Sequence, residues 1–266
     1  MKKILVFFLF SSYSVLLFGQ YSETIATARP GAANGAGTVG KGVLQFQTGI
    51  QYDEVRDVRD SMNYRVENTS ENLVIRFGLR ERFEVSTVIN HINSTEFLED
   101  GSESLSRSGI NTSLIRARTT INDHLALQVG VSTRIRSEDY KIDFLAPRFR
   151  VMYSTPFGEY AGLTTNIGTY WNGVDGRPRG FYVFSFSFAL TDNMSLVAES
   201  YGNFIKSQIN NYFDIGLGYN LNKDLLIDLN GGWGANYPYK SYFLTAGISY
   251  RIITRFRPEE MMPSEE

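Results

Sequence analysis

The chain contains no cysteine among its 266 residues, which excludes disulfides, thiolate metal centres, a cysteine nucleophile and a lipid anchor on an N-terminal cysteine. Histidine is nearly as scarce, with only His91 and His124. No P-loop, H-E-x-x-H or G-x-S-x-G is present, and no cluster has metal-ligand spacing, so neither a metal nor a cofactor is expected. Charge of one sign is lacking too. The formal net charge is -2, which gives no basic footprint for nucleic acid. Beyond the first 20 residues no apolar run approaches the roughly 20 residues of a membrane-spanning helix. If the mature chain enters a membrane it must do so as a closed barrel, because an open sheet would strand unpaired amides in hydrocarbon.

What is present starts with a leader. Lys2 and Lys3 precede the apolar run Ile4 to Phe18, and Gly19 and Gln20 lead into polar sequence. This is the pattern of a secretory signal peptide over residues 1–20. Residues 21–41 are rich in glycine and alanine without a periodic apolar face, which predicts either a periplasmic lead-in or a segment folded into a lumen as a plug. Residues 42–256 then repeat one pattern about a dozen times. In L-A-L-Q-V-G-V-S-T-R-I-R, Leu125 to Arg136, every second residue is apolar or Thr and the alternate ones are small, polar or cationic. Strand side chains alternate with period 2, so one face is oily and the other polar.

The alternation recurs around residues 42–54, 72–79, 83–90, 115–121, 142–154, 161–171, 182–190, 194–203, 213–221, 225–233 and 242–252. About twelve strands, an even number, is what a bacterial single-chain barrel uses. Mean hydropathy of -0.20 agrees, since lipid-facing and lumen-facing residues alternate. Connections after the even strands are tight, at Arg80 to Arg82, Asn122–Asp123, Pro156 to Gly158, Asp192–Asn193 and Asn222 to Asp224; those after the odd strands are longer or more polar, notably Val55 to Ser70 and Ser94 to Ser108. Short periplasmic turns and long outer loops alternate in this way. Pro147 predicts a bulge or interrupted pairing in strand six. Tyr170, Trp171, Trp233, Tyr237, Tyr239 and Tyr242 are placed at the outer rim, and Phe83, Phe157, Tyr160 and Tyr250 at the inner one, as interfacial aromatics would be. A soluble sandwich with an aromatic core is the weaker alternative. Residues 257–266 form an acidic tail expected in the periplasm.

The lead-in T-A-R-P-G, the opening strand G-V-L-Q-F-Q-T-G and the hairpin R-F-G-L-R-E-R-F-E-V from Arg76 to Val85 resemble the outer-membrane barrels of Gram-negative bacteria known as the MetA-pathway of phenol degradation family, often labelled transporters. The resemblance covers essentially all of the mature chain. It implies an all-β transmembrane barrel and a role in passing small molecules, and it carries no site residues over.

The inward positions are unevenly charged. Arg76, Arg116, Arg118, Arg134, Arg148 and Arg150 fall on strands two, four, five and six, and Glu199, Asp214 and Asp228 on strands nine to eleven. These are the lumen-lining candidates, and their opposed walls would bias a passing solute; the plainer reading is that they pair and fill the lumen. The functional expectation is an outer-membrane barrel passing small solutes passively, with a filled structural or surface-interaction barrel as the alternative. A lipid hydrolase is a third and weaker reading, because His91 and His124 lie at opposite ends and a catalytic base needs a nucleophile in reach. Expected partners are outer-membrane lipid and lipopolysaccharide, a small solute and the barrel-assembly machinery. Loop carboxylates at Asp53 to Asp60 and Glu96 to Glu103 read as solvated charge rather than calcium ligands.

Overall fold

A computed structural model of the chain describes residues 25, 28–59, 62–205, 208–236 and 239–254. The leader and the acidic tail lie outside the described residues. Twelve antiparallel strands follow one another: β1 (Val43–Arg59), β2 (Met62–Arg80), β3 (Phe83–Phe97), β4 (Glu103–Asn122), β5 (Leu125–Ser132), β6 (Ala146–Phe157), β7 (Ala161–Trp171), β8 (Pro178–Ala189), β9 (Met194–Ile205), β10 (Gln208–Asn222), β11 (Leu225–Asn236) and β12 (Tyr239–Ile253). Each pairs with its sequence neighbours, and β1 closes on β12. Closure gives every strand a neighbour on both sides, which is the condition for crossing hydrocarbon as a sheet.

The side chains are arranged inside out relative to a soluble protein. On β8 the inward Val183 and Ser185 are buried, whereas the outward Phe184 and Phe186 are each 47% exposed. On β1 the inward Gln45 and Gln47 are buried while Ile50 faces out. A soluble sandwich would bury the phenylalanines and expose the glutamines, so an apolar outer surface over a polar interior identifies lipid as the outer solvent. Trp171 packs edge-on against Phe149 with ring centroids 6.4 Å apart, and Trp233 lies beside Phe213 at 5.9 Å. Both pairs belong to the outward face near the long-loop end. Tyr170, expected in that belt, points inward instead, beside Arg148. The side chains of Tyr237 and Tyr239 lie outside the described residues.

The tight turns gather at one end. Asn122 Oδ1 accepts from the backbone N–H of His124 and Leu125, both at 2.9 Å, and Asn222 Oδ1 accepts from that of Asp224 at 2.8 Å. These side chains copy a backbone turn, which is why Asn opens both hairpins. Gly158, with φ +63°, turns β6 into β7.

Four expectations change at the other end. The polar stretches Val55 to Ser70 and Ser94 to Ser108 are mostly strand among the described residues, β1 running on to Arg59 and β2 starting at Met62, with β3 and β4 joined by a turn at 98–102. Their ladders continue past the oily belt, held by pairs such as Asn68 to Asp53 at 2.7 Å. Loss of hydrophobicity there marks the exit from lipid, not the end of the strand. Strand five stops at Ser132; Thr133 makes a last in-register contact with Ser113 through both its backbone N–H and its hydroxyl, each at 2.8 Å, and the chain then turns with the Arg136 N–H on the Arg134 carbonyl. Ser137 then takes the place of the missing strand by bonding Ile110. Strand six begins at Ala146 rather than residue 142, so Pro147 is its second residue and pairs with Val131 without a register shift. Proline's missing donor is harmless at a strand's start. The bulges lie elsewhere, at Gly78/Arg80, Asn90/His91, Glu96/Phe97, Thr120/Asn122 and Asn220/Asn222.

Candidate functional site in the barrel lumen

Residues 28–41 run inside the barrel near the short-turn end and follow its inner wall like a collar. Arg29 forks onto Asp228 of β11 with contacts of 2.9–3.1 Å and also donates to Thr245 of β12. The N–H groups of Ala32 and Ala33 donate to the Glu199 carboxylate on β9, at 2.5 and 3.2 Å. The side-chain amide of Asn166 on β7 clasps the backbone of Asn34, its Oδ1 accepting from the Asn34 N–H and its Nδ2 donating to the Asn34 carbonyl, both at 2.8 Å. Ser154 of β6 accepts from Ala36, and Arg118 of β4 donates to the carbonyls of Gly35 and Gly37 and to Asn34 Oδ1. The segment closes through Val39 N–H on Glu84 of β3 and Thr38 on the Glu81 carbonyl. Gly40 lies flat on Gly78 of β2, where a Cβ would come within 1.6 Å of the Gly40 oxygen. A chain without regular structure can be buried only if its backbone groups find such partners.

The collar's small residues now have a physical reason. Pro30 packs on Gly216 and Gly218 of β10, and Gly31 sits against the Glu199 carboxylate with φ +99°. Larger side chains would not fit between the backbone and the wall. Two of its backbone ties to charged side chains lie on opposite walls: the Gly35 and Gly37 carbonyls accept from Arg118 of β4, and the Ala32 and Ala33 N–H groups donate to Glu199 of β9.

The nine charged candidates fall into three groups. Arg76, Arg118 and Glu84 form a buried cluster on β2, β4 and β3. Glu84 accepts from Arg76 Nε at 3.0 Å and Nη2 at 2.8 Å, and Arg118 Nε lies 3.5 Å from it. Arg116, Arg148 and Arg150 line the same wall nearer the long-loop end. Arg116 donates to Ser86, Arg148 lies over the Tyr170 ring, and Arg150 lies over Phe181 while bonding Asn166. Glu199, Asp214 and Asp228 line the opposite wall and are buried. Arg134 is the exception. It lies beyond the end of β5, is exposed, and donates to the Asp143 carbonyl in the following loop, so it does not line the lumen. Arg29, Asn34, Ser154 and Asn166 were missed because their partners are set by the collar's path, which no periodicity encodes. Arg29 and Asp228 are 199 residues apart.

Above the collar the lumen holds a cavity of about 640 Å³ lined by Gln51, Asp53, Tyr201, Asn203, Tyr212, Phe243 and their neighbours. Tyr201 and Tyr212 stack with centroids 5.3 Å apart. His91 stands away from the lumen, registered between Glu71 and Ile110. Its Nδ1 has no hydrogen-bond partner among the described residues. His124 bonds the Ser154 carbonyl in its turn at 2.8 Å.

A family model described as "Putative MetA-pathway of phenol degradation" matches residues 27–252. The chain belongs to this family. The matched span takes in the residues of the collar as well as those of the strands. Among solved structures, an outer membrane channel from Pseudomonas putida F1 superposes with a TM-score of 0.62 at 11% identity, covering 82% of this chain and 98% of that one. The translocator domain of the autotransporter NalP from Neisseria meningitidis gives 0.56 at 13% identity, covering 80% and 89%. At these identities the likeness establishes the fold, an outer-membrane type of β-barrel. No functionally curated protein matches the chain in sequence.

Proposed function

We propose that this protein is a passive channel of the Gram-negative outer membrane, through which a small solute crosses by way of the polar lumen and the collar regulates passage. The observation that carries this reading is the division of the lumen. One half is an accessible polar cavity, and the other holds a segment attached to the wall by side-chain hydrogen bonds rather than by strand pairing. A permanent filling would be expected to add a strand or pack an apolar core; a collar held by separate polar contacts can shift when they are exchanged for water. The fold shared with a solved outer membrane channel supports the same reading.

In this account the short-turn end faces the periplasm, lipid and lipopolysaccharide contact the outward apolar face, and the barrel-assembly machinery inserts the chain. The Arg76–Glu84–Arg118 cluster favours the second reading, a structural barrel with a filled lumen. Single-channel recording of the full mature chain in planar bilayers separates the two. Discrete conductance steps, with swelling of proteoliposomes in a small sugar or amino acid, support the channel. Silent membranes containing correctly folded barrel would leave the structural reading.

A further inference from the structure

The upper cavity is built from two in-register rows of inward side chains. The lower row runs Asp53, Phe243, Gly232, Asp214 and Glu199 across β1, β12, β11, β10 and β9. The row above runs Val55, Ser241, Gly234, Tyr212 and Tyr201. The two glycines of β11 leave the wall bare, and neighbouring rings occupy the space: a Cβ on Gly232 would come within 2.6 Å of the Phe243 ring, and one on Gly234 within 2.7 Å of the Tyr212 ring. The cavity therefore presents Phe243, Tyr212 and Tyr201 together.

Its charge is of one sign. No lysine or arginine is among the described residues that line it. Asp53 is held by neutral amides, Gln51 at 3.3 Å and Asn68 at 2.7 Å. Asp214, in the same row, is 3% exposed and one of its carboxylate oxygens has no donor; Asn230 beneath it is equally buried, with its amide oxygen also lacking a donor. The other two carboxylates of this wall are accounted for, Glu199 by the collar's N–H groups and Asp228 by Arg29. On the facing wall the guanidinium planes of Arg148 and Arg150 are covered by Tyr170 and Phe181. Among the described residues, no cation pairs with Asp53 or Asp214. The Asp53 carboxylate beside three rings, with Asp214 buried behind it in the same row, forms a place for a cation with an apolar body, since ring faces and carboxylates both attract positive charge and the rings also shed water around hydrocarbon.

We infer that this cavity binds a small organic cation, an ammonium group carried on an aromatic or aliphatic body, with Asp53 as its charge partner and Tyr201, Tyr212 and Phe243 as its walls. The inference rests on the channel reading only for what happens next, namely passage; binding stands on the cavity itself.

The test is isothermal titration of the full mature chain in a neutral maltoside detergent with benzylammonium, benzyl alcohol and benzoate as probes. Benzylammonium should bind about tenfold or more tightly than benzyl alcohol, with benzoate weakest. Asp53→Asn should remove most of that preference, and Tyr201→Leu should weaken benzylammonium binding while heat-modifiable migration shows an intact barrel. Equal binding of the charged and uncharged probes, or an unchanged preference in Asp53→Asn, overturns the inference. Planar-bilayer recording keeps the two claims apart: binding without conductance leaves the site standing and removes the passage, whereas conductance without preferential benzylammonium binding does the reverse.

Discussion

Replacing Glu84 with alanine is the sharpest test of how the lumen is held together. Its carboxylate is 1% exposed and serves Arg76, Arg118 and the N–H of Val39 at once. Arg76 and Arg118 are themselves only 4% and 3% exposed. Removing one partner of a buried ion pair costs about 3–5 kcal/mol, because the remaining charge stays out of water, and a stranded backbone donor adds about 1 kcal/mol or more. A loss of about 4–6 kcal/mol is therefore expected. With a urea slope of about 2 kcal/mol/M, the unfolding midpoint in detergent micelles should fall by about 2–3 M. Glu84→Gln, which keeps an acceptor oxygen, should lose less. A change below about 1 kcal/mol in Glu84→Ala would mean that water satisfies both arginines, and the description of a sealed, collared half-lumen would have to be abandoned.

Three other outcomes follow from the same geometry. Arg29→Ala removes the fork on Asp228 and should loosen the collar, seen as faster amide exchange over residues 28–39 with the strand amides unchanged; uniform protection would show that the fork is dispensable. Gly78→Ala puts a methyl into the Gly40 carbonyl and should cost about 1–3 kcal/mol in the same urea assay, while Gly101→Ala, in open space at the β3–β4 turn, should not disturb the lumen. Arg116→Glu combined with Arg148→Glu reverses charge on the β4–β6 wall and should shift reversal potentials toward cation preference, whereas Arg134→Glu, exposed in a loop, should leave selectivity nearly unchanged.

Much of this molecule is legible in its residues because a membrane barrel obeys a strict code. Lipid on one side and polar lumen on the other impose period 2 on every strand, so the inward Arg76, Arg118, Glu199, Asp214 and Asp228 could be assigned by counting alone. Arg134 shows the limit, since alternation continues through Arg136 although pairing ends at Ser132. Periodicity reports which face a residue would take in a strand, not whether the neighbour is there to pair with it. The hairpins of β1–β2 and β3–β4 erred in the other direction, because their polar ends read as loops once the lipid-facing code stopped. The collar was the least legible part. Its glycines and alanines have no period, and its partners are scattered over seven strands from β2 to β12. Opposed charged walls were expected to act directly on a solute. Instead part of each wall is satisfied by the collar, whose carbonyls meet Arg118 and whose N–H groups meet Glu199.

The central claim is a lumen with an accessible half and a collared half, and the direct measurement is single-channel conductance with and without residues 21–39. Deletion should leave a folded barrel whose conductance is several-fold above that of the full mature chain, with fewer closures. Equal conductance in the two proteins would contradict the collar's part in passage, and silence in both would contradict the channel itself.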